Sequence, residues 1–352
     1  ILLVGGGSGG PVSPLLAIAH ELRKRHPKIR FLLVGTSKGP EMQMAKYAGV
    51  PFASITAGKL RRYFSIKNIF SPALILFGFF QSLKILYSFR PDCVFGTGSF
   101  VQVPVVWAAW ILRIPIILHQ QDVLPSLANK LCQLCANKIT VTFELSLAYF
   151  SSSLGFFYQK QKPDKVILTG NPCFLNNLNF SKERAQKIFK LKANLPTLFV
   201  LGGGTGADFI NRVITNSLPQ LSKVVQVIHS TGRNKKILSD EFYENYHPFE
   251  FISDIGSAYV AADIVLARAG LSTITELSRL KKLGIIVPMP DSHQELNAML
   301  LFESKAAIVI PQSELNPEGF VRLIRRLLFE HILQKTLQNN IGHSLLVKAD
   351  AK

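Results

Sequence analysis

The chain has 352 residues, with 40 Lys and Arg against 22 Asp and Glu, for a formal net charge of +18. That length suits two domains rather than one, and 48% hydrophobic with 10% aromatic residues excludes a disordered or low-complexity chain. The basic excess asks for an anionic partner, and composition leaves nucleic acid, an anionic membrane and a phosphorylated substrate equally open.

The sequence opens on an apolar run, ILLV at 1–4, so it is expected to carry no signal peptide and to lack only a few residues ahead of Ile1. Similar runs rich in Val, Ile and Leu recur at 31–35, 93–96, 116–119 and 139–142, then at 198–201, 225–229, 263–267, 285–287 and 307–310. Separated by helical stretches, they read as buried parallel strands in βαβ units. An internal echo marks two halves: LLVGGGSGGP near the start returns as FVLGGGTGAD near residue 199. The expectation is an α/β protein of two Rossmann-like domains with parallel sheets facing across a cleft. Their spans are 1–163 and 164–352, parting in the Lys- and Pro-bearing stretch 158–165 just before VIL. The last helix is expected to pack back on the first domain.

Both glycine turns satisfy the dinucleotide fingerprint, through Gly5, Gly7 and Gly10 and through Gly202, Gly204 and Ala207. A nicotinamide site also needs a carboxylate at the tip of the second strand. Those tips read Gly35-Thr36-Ser37-Lys38 and His229-Ser230-Thr231-Gly232-Arg233, which argues against NAD and implies no cofactor. What remains is a backbone that admits close approach and a helix start that favours negative charge, suited to two phosphorylated ligands.

Residues 66–84, IKNIFSPALILFGFFQSLK, hold about 16 uncharged residues between Lys67 and Lys84, short of the roughly 20 a spanning helix needs. Ser71-Pro72 reads as a helix start, and Gly78 and Gln81 interrupt the apolar face. Lys59, Arg61, Arg62, Lys67, Lys84 and Arg90 surround it, and a second apolar stretch ends in Trp107, Trp110 and Arg113. An interfacial anchor on anionic lipid and a core helix both fit. The four cysteines, Cys93, Cys132, Cys135 and Cys173, suggest no disulfide framework and a reducing compartment. The Cys132 and Cys135 pair lies in an amphipathic stretch without a second ligand pair, so buried thiols are expected rather than zinc. The basic residues are dispersed and carry no nucleic-acid motif.

The second half holds RAGLSTITE at 268–276, then PMPDSHQELNA at 288–298. Thr273 could cap a helix with Glu276 closing a capping box, or the Glu276 carboxylate could accept both hydroxyls of a ribose. His119, in LHQQD, reads either as a strand-end imidazole bonded to the backbone or as a catalytic group.

Taken together, GGGSGGPVSPLLA (5–17), GTSKGPE (35–41), FGTGSFVQVP (95–104), LHQQDVLPSLANK (118–130), GNP (170–172), GGGTGADFIN (202–211), residues 251–276 and DSHQELNA (291–298) resemble the MurG family of N-acetylglucosaminyltransferases, in glycosyltransferase family 28. The resemblance spans nearly the whole chain. It implies a GT-B fold and a peripheral enzyme at the cytoplasmic face of the cell membrane in peptidoglycan synthesis. The N-terminal domain would bind the acceptor and the anionic membrane, through 66–84, and the C-terminal domain the UDP-sugar. Such an enzyme moves N-acetylglucosamine from UDP-N-acetylglucosamine to the 4-hydroxyl of a polyprenyl-pyrophosphoryl-linked N-acetylmuramyl-pentapeptide, inverting the anomeric centre without a metal. A related transferase for another UDP-sugar and lipid, or a weakened member, is the alternative, and nucleic acid is not an expected partner.

Carried over by motif, Ile252 would meet the uracil, Glu276 the ribose, and Leu271, Ser272, Thr273, Ile274 and Thr275 the diphosphate and ribose, with Arg268 beside them. Gly203, Gly204 and Thr205 would lie near the donor phosphates, and His293, Gln294 and Asn297 would address the sugar hydroxyls. Ser8, Gly9 and Gly10 would approach the acceptor pyrophosphate, with 96–100 and 119–122 on the same wall. Pro11, Phe174, Asp122 and the pair Gly204-Thr205 replace residues usual in the family: His, Arg, Asn and Ser-Gln. With the imidazole gone from position 11, His119 and Asp122 are the expected catalytic pair.

Overall fold

Every strand pairing among the described residues of this computed structural model is parallel, and the strands sort into two sheets. The structure describes residues 1–58, 71–151, 163–173, 175, 181–202, 207–232 and 241–343. The chain divides into two compact units that part between Cys173 and Leu175.

In chain order the first unit contains β1 (Leu2–Val4), α1 (Ser13–Arg25), β2 (Leu32–Gly35), α2 (Glu41–Tyr47), β3 (Phe52–Ser54), α3 (Ser71–Phe89), β4 (Val94–Gly96), α4 (Gln102–Ile111), β5 (Ile116–Gln120), α5 (Leu127–Cys132), β6 (Lys138–Val141), α6 (Glu144–Ser151) and β7 (Val166–Leu168). The strand order is β3-β2-β1-β4-β5-β6-β7. Alternation along a strand sends successive residues to opposite faces. Leu2 and Val4 therefore join Val94, Ile116, Leu118 and Ile139 in one core, while Leu3 joins Val12, Leu15 and Leu33 in the other. β7 is the VIL run, and because it pairs with β6 the first unit extends past the 158–165 boundary expected from the sequence.

The second unit contains α7 (Lys182–Ile188), β8 (Thr197–Leu201), α8 (Asp208–Leu221), β9 (Gln226–Ser230), β10 (Tyr246–Phe249), α9 (Ile255–Ala261), β11 (Ile264–Ala267), α10 (Leu271–Leu280), β12 (Leu283–Ile286), α11 (Gln294–Glu303), β13 (Ile308–Val309), α12 (Pro317–Phe329) and α13 (His331–His343). Its order is β10-β9-β8-β11-β12-β13. Leu198, Val200, Leu266 and Ile285 meet Ile210, Ile214, Phe320 and Ile324 on one face. On the other, Phe199 stacks edge-on against Tyr259 at 5.2 Å. α13, the last described helix, sits in the second unit. Leu337 and Ile341 are buried there, and the Ser278 hydroxyl donates to the Ile341 carbonyl at 2.6 Å.

α3 is built the reverse way from an ordinary amphipathic helix. Its buried positions are Ser71, Gly78, Ser82 and Leu86, whereas Leu74, Leu76, Phe77, Phe80 and Tyr87 are exposed. Gly78 and Gln81, which interrupt the apolar sequence, make the docking contact: Gln81 accepts the Thr56 N–H at 2.7 Å, and a Cβ on Gly78 would lie 2.0 Å from the Thr56 carbonyl oxygen. Of the expected basic rim, Lys59, Arg61, Arg62 and Lys67 lie outside the described residues, and Lys84, Arg90 and Arg113 are exposed. By length and composition α3 could cross a bilayer.

Gly78→Ala tests this packing, because two effects oppose. Helix propensity favours Ala by about 1 kcal/mol, while overpacking against fixed backbone costs about 1–3 kcal/mol. A net loss of stability is expected, read as a lower urea midpoint at unchanged slope.

Candidate functional site

In an open parallel sheet the ligand crevice lies outside the carboxyl ends of the strands, where the strand order reverses. In the first unit that point falls between β1 and β4, and in the second between β8 and β11.

Three turns meet at the first. Gly7 after β1 has φ +83° and Gly98 after β4 has φ +85°, conformations that favour glycine. The Thr97 hydroxyl donates to the Pro11 carbonyl at 2.5 Å, and the Gln121 amide donates to the Thr97 carbonyl at 3.2 Å. Pro11 lies in the turn ahead of α1, and Pro14 occupies the helix start. Ser8, Gly9 and Gly10 are half-buried in that turn. Behind the turns runs a line of buried side-chain amides. Gln102 accepts the Gly98 N–H at 2.7 Å and donates to Asn129 at 2.7 Å; Asn129 donates to Gln120 at 2.7 Å and to the His119 carbonyl at 3.1 Å. Gln120 in turn donates to the carbonyls of Asp122 and Leu124 at 2.7 and 2.8 Å. The sequence reading gave Gln102 and Asn129 no role and placed Gln120 only on the acceptor wall, although each lies in a quoted motif. For Gln102 the signal is an amide between Val101 and Val103; Gln120 and Asn129 carry no such signal, yet a side-chain amide both donates and accepts and so can tie one turn to the next.

His119 is 1% exposed, with Nδ1 2.8 Å from the Thr140 hydroxyl and Nε2 3.1 Å from Asn171 Oδ1. Asn171 Oδ1 only accepts, so Nε2 carries the proton and Nδ1 accepts from Thr140. Burial pushes the imidazole down to about 4, against the opposing pull of Asn171. Both nitrogens are engaged inside the protein, so the expectation that His119 acts as a base gives way to a structural role. Asp122 is half-buried at the same strand end.

Glu41 fills a place the sequence reading left empty. No carboxylate was seen at the second strand tip, yet Glu41 folds back from α2 to accept the Thr36 N–H at 2.7 Å and the Gly7 N–H at 3.2 Å. Committed to its own backbone, that oxygen is not offered to a ribose.

In the second unit Gly203, Gly204 and Thr205 lie outside the described residues, as does Phe174 of the first. The turn after β11 carries the rest. Arg268 donates to the carbonyls of Val287 and Pro288 at 3.2 and 3.0 Å and to Gln312 at 2.6 Å, so its guanidinium braces the ends of β11 and β12. Asn297 donates to the Ala269 carbonyl at 3.1 Å, tying α11 to the same turn. α10 begins at Leu271 with Gly270 as its N-cap, so Thr273 is within the first turn and caps nothing; the expected capping box is absent. Thr275 turns its hydroxyl back to the Leu271 carbonyl at 2.8 Å. Leu271 and Ile274 are buried, and Ser272 and Thr273 are half-buried at the helix start. Ile252 is half-buried ahead of α9, while His293 and Gln294 are half-buried at the start of α11, where Gln294 accepts the Met289 N–H at 3.1 Å.

Gly270 has φ −73° and ψ 135°, open to any residue, and a Cβ there would meet nothing within 4 Å. Neither conformation nor packing calls for glycine at that position. Its bare Cα leaves the first amides of a ten-residue helix open, the geometry that favours an anion. Glu276, 6% exposed, accepts the Tyr259 hydroxyl at 2.6 Å. Burial raises its carboxyl to about 7, against the opposing effect of Tyr259.

The Cys132 thiol is raised by burial, then by Cys135, in keeping with an inert core thiol. Among the described residues no group of three or more His, Cys, Asp or Glu is placed to hold a metal ion.

The glycosyltransferase family 28 N-terminal domain matches residues 1–141 and the family 28 C-terminal domain matches residues 197–348. A UDP-N-acetylglucosamine–N-acetylmuramyl-(pentapeptide) pyrophosphoryl-undecaprenol N-acetylglucosamine transferase of Clostridium perfringens is 36% identical over 332 residues, 93% of this chain and 89% of that protein. The protein of the same name from Clostridium botulinum is 33% identical over 349 residues, 98% of this chain and 94% of that one. The crystal structure of Acinetobacter baumannii MurG aligns with a TM-score of 0.64 at 22% identity over 99% of this chain and 96% of that chain. UDP-GlcNAc 2-epimerase from Neisseria meningitidis bound to UDP-GlcNAc aligns at 0.69 and 16% identity, over 98% and 96%; both share the fold.

The pH dependence of stability reports on Glu276. Because its folded value lies above the unfolded 4.5, its contribution is fully present below pH 4.5 and is lost as pH rises through about 7. The difference corresponds to about 3 kcal/mol. Thermal melts from pH 4 to 8 should show Glu276→Gln, which keeps an acceptor for Tyr259, losing less stability than the parent across that window.

Proposed function

The chain belongs to glycosyltransferase family 28, and on that premise we propose that it transfers N-acetylglucosamine from UDP-N-acetylglucosamine to a polyprenyl-pyrophosphoryl-linked N-acetylmuramyl-(pentapeptide). The acceptor 4-hydroxyl attacks the anomeric carbon with inversion and UDP leaves. The observation that carries this reading is the open start of α10 at Gly270, at the point of strand-order reversal in the second unit. Its amides and positive helix end meet the charge that builds on the departing diphosphate, work that needs no metal. Glu276 addresses the ribose, and Ile252, His293, Gln294 and Asn297 the base and sugar. In the first unit Ser8, Gly9 and Gly10 meet the acceptor pyrophosphate. Asp122 takes the hydroxyl proton, since His119 is sealed among Thr140 and Asn171.

Acceptor-dependent UDP release, from purified protein supplied with UDP-N-acetylglucosamine and a short-chain acceptor analogue, tests this directly. Asp122→Asn should slow turnover by about 10²- to 10⁴-fold. Gly270→Ala should leave stability within about 1 kcal/mol and weaken UDP binding about tenfold. Tight UDP binding with no acceptor-dependent release would refute the transferase reading.

The same enzyme works as a peripheral protein at the cytoplasmic face of an anionic membrane. Supporting this are the outward Leu74, Leu76, Phe77 and Phe80 of α3, and Trp110, Ile111 and Leu112 at the end of α4. Lys84 lies in the C-terminal half of α3, and Arg90 and Arg113 lie just past the ends of α3 and α4, each cation worth about 1 kcal/mol at an anionic surface. Sedimentation with phosphatidylglycerol vesicles should exceed that with phosphatidylcholine vesicles, and Phe77→Ser with Phe80→Ser should abolish it while UDP binding persists.

A further inference from the structure

The segment GTSKGPE between β2 and α2 is part of the family resemblance yet receives no role in either binding site, and it contains Glu41, 0% exposed. Glu41 Oε1 accepts three donors: the Gly7 N–H at 3.2 Å, the Thr36 N–H at 2.7 Å and the Thr36 hydroxyl at 2.5 Å. Its Oε2 is buried with no hydrogen-bond partner among the described residues. A carboxylate held this way carries a desolvation penalty that a purely structural contact would not require.

Three glycines close around it. A Cβ on Gly6 would lie 2.5 Å from Oε1, one on Gly35 2.6 Å from Cγ, and one on Gly39 1.8 Å from Oε2. None of the three has a positive φ, so the carboxylate rather than the backbone demands glycine there. From the other side the Phe100 ring covers Gly7, where a Cβ would meet Cε1 at 2.6 Å. The N–H of Gly7 is thereby turned inward, and Ser8, Gly9 and Gly10 follow it in the same turn.

We propose that Glu41 is a positioning residue for the acceptor pyrophosphate, latching the turn after β1 to the tip of β2 so that residues 8–10 hold one conformation. The proposal rests on the acceptor reading given above. A loosened turn would bind the pyrophosphate less well while the chemistry and the donor unit stay intact.

Steady-state kinetics on the full chain, with UDP-N-acetylglucosamine and the short-chain acceptor analogue, test it. Glu41→Ala should raise the acceptor KM about tenfold or more while kcat changes less than about threefold and the donor KM holds. Glu41→Gln keeps an oxygen for the same three donors and should restore most of the acceptor KM. Gly39→Ala retains Glu41 but sets a methyl on Oε2, and should reproduce the Glu41→Ala phenotype. If Glu41→Ala does not fold, Thr36→Val removes one donor and decides: a several-fold rise in acceptor KM alone supports the latch, and no change overturns it. An unchanged acceptor KM in folded Glu41→Ala, or a fall of kcat with both KM values held, overturns the latch and leaves the transferase standing. Absence of acceptor-dependent UDP release from the parent protein overturns both.

Discussion

A parallel strand bonded along both edges and packed beneath helices on both faces has polar groups to offer only where it ends. Both sheets are built this way, so the residues considered for binding cluster around the strands' carboxyl ends, in the turns there and in the first turns of the helices that follow. The consequence is that chemistry depends on turns, and turns are the least constrained backbone in a fold. The first unit answers with side-chain amides: Gln102, Asn129 and Gln120 run from the turn after β4 to the turn after β5. Thr97 and Gln121 carry the fastening on to the turn after β1. In the second unit Arg268 and Asn297 serve the same end with carbonyl acceptors. Several residues that look like ligands in the sequence are the frame that holds the ligand-facing backbone.

That distinction bounds what the sequence reveals. The central strands were legible, since runs such as LFVL and DIVLA are apolar throughout and only a doubly covered strand needs that. The edge strands β3 and β10, FAS and YHPF, were not, because an edge strand has one partner and half-buried faces and needs no such run. The VIL run was legible as a strand but not as a member of the first sheet, because pairing with β6 is a property of register rather than of composition. At the sites, motifs located the turns, yet spacing could not separate a side chain that faces a ligand from one that faces inward. His119 and Arg268 show this: each has a ligand's chemistry and a complete set of internal partners.

α3 is a second case in which pattern alone misleads. Gly78, Gln81 and Ser82 look like interruptions of an apolar face, yet they are what lets the helix approach the backbone at Thr56. Close approach requires small or hydrogen-bonding residues, so the inward face is the less apolar one. The large side chains are left outside, where water alone would not favour them. An apolar surface held outward by specific packing suits a protein that works at a lipid surface.

The charge of +18 takes on a narrower meaning in this frame. Lys and Arg are sparse in the residues assigned to the anions. Arg268 there is held by carbonyls, and the nearby titratable groups, His119 and Glu276, are held toward their neutral forms by burial. On the proposed reading, contact with phosphate falls to helix-start amides, whose directions are fixed by the fold and do not reorganise when a ligand arrives. Dispersed surface cations act over a Debye length of about 8 Å at physiological ionic strength, and such a field attracts anions without distinguishing one from another. Discrimination is therefore a property of backbone geometry, and that geometry lasts only as long as the side chains fastening the turns stay in place.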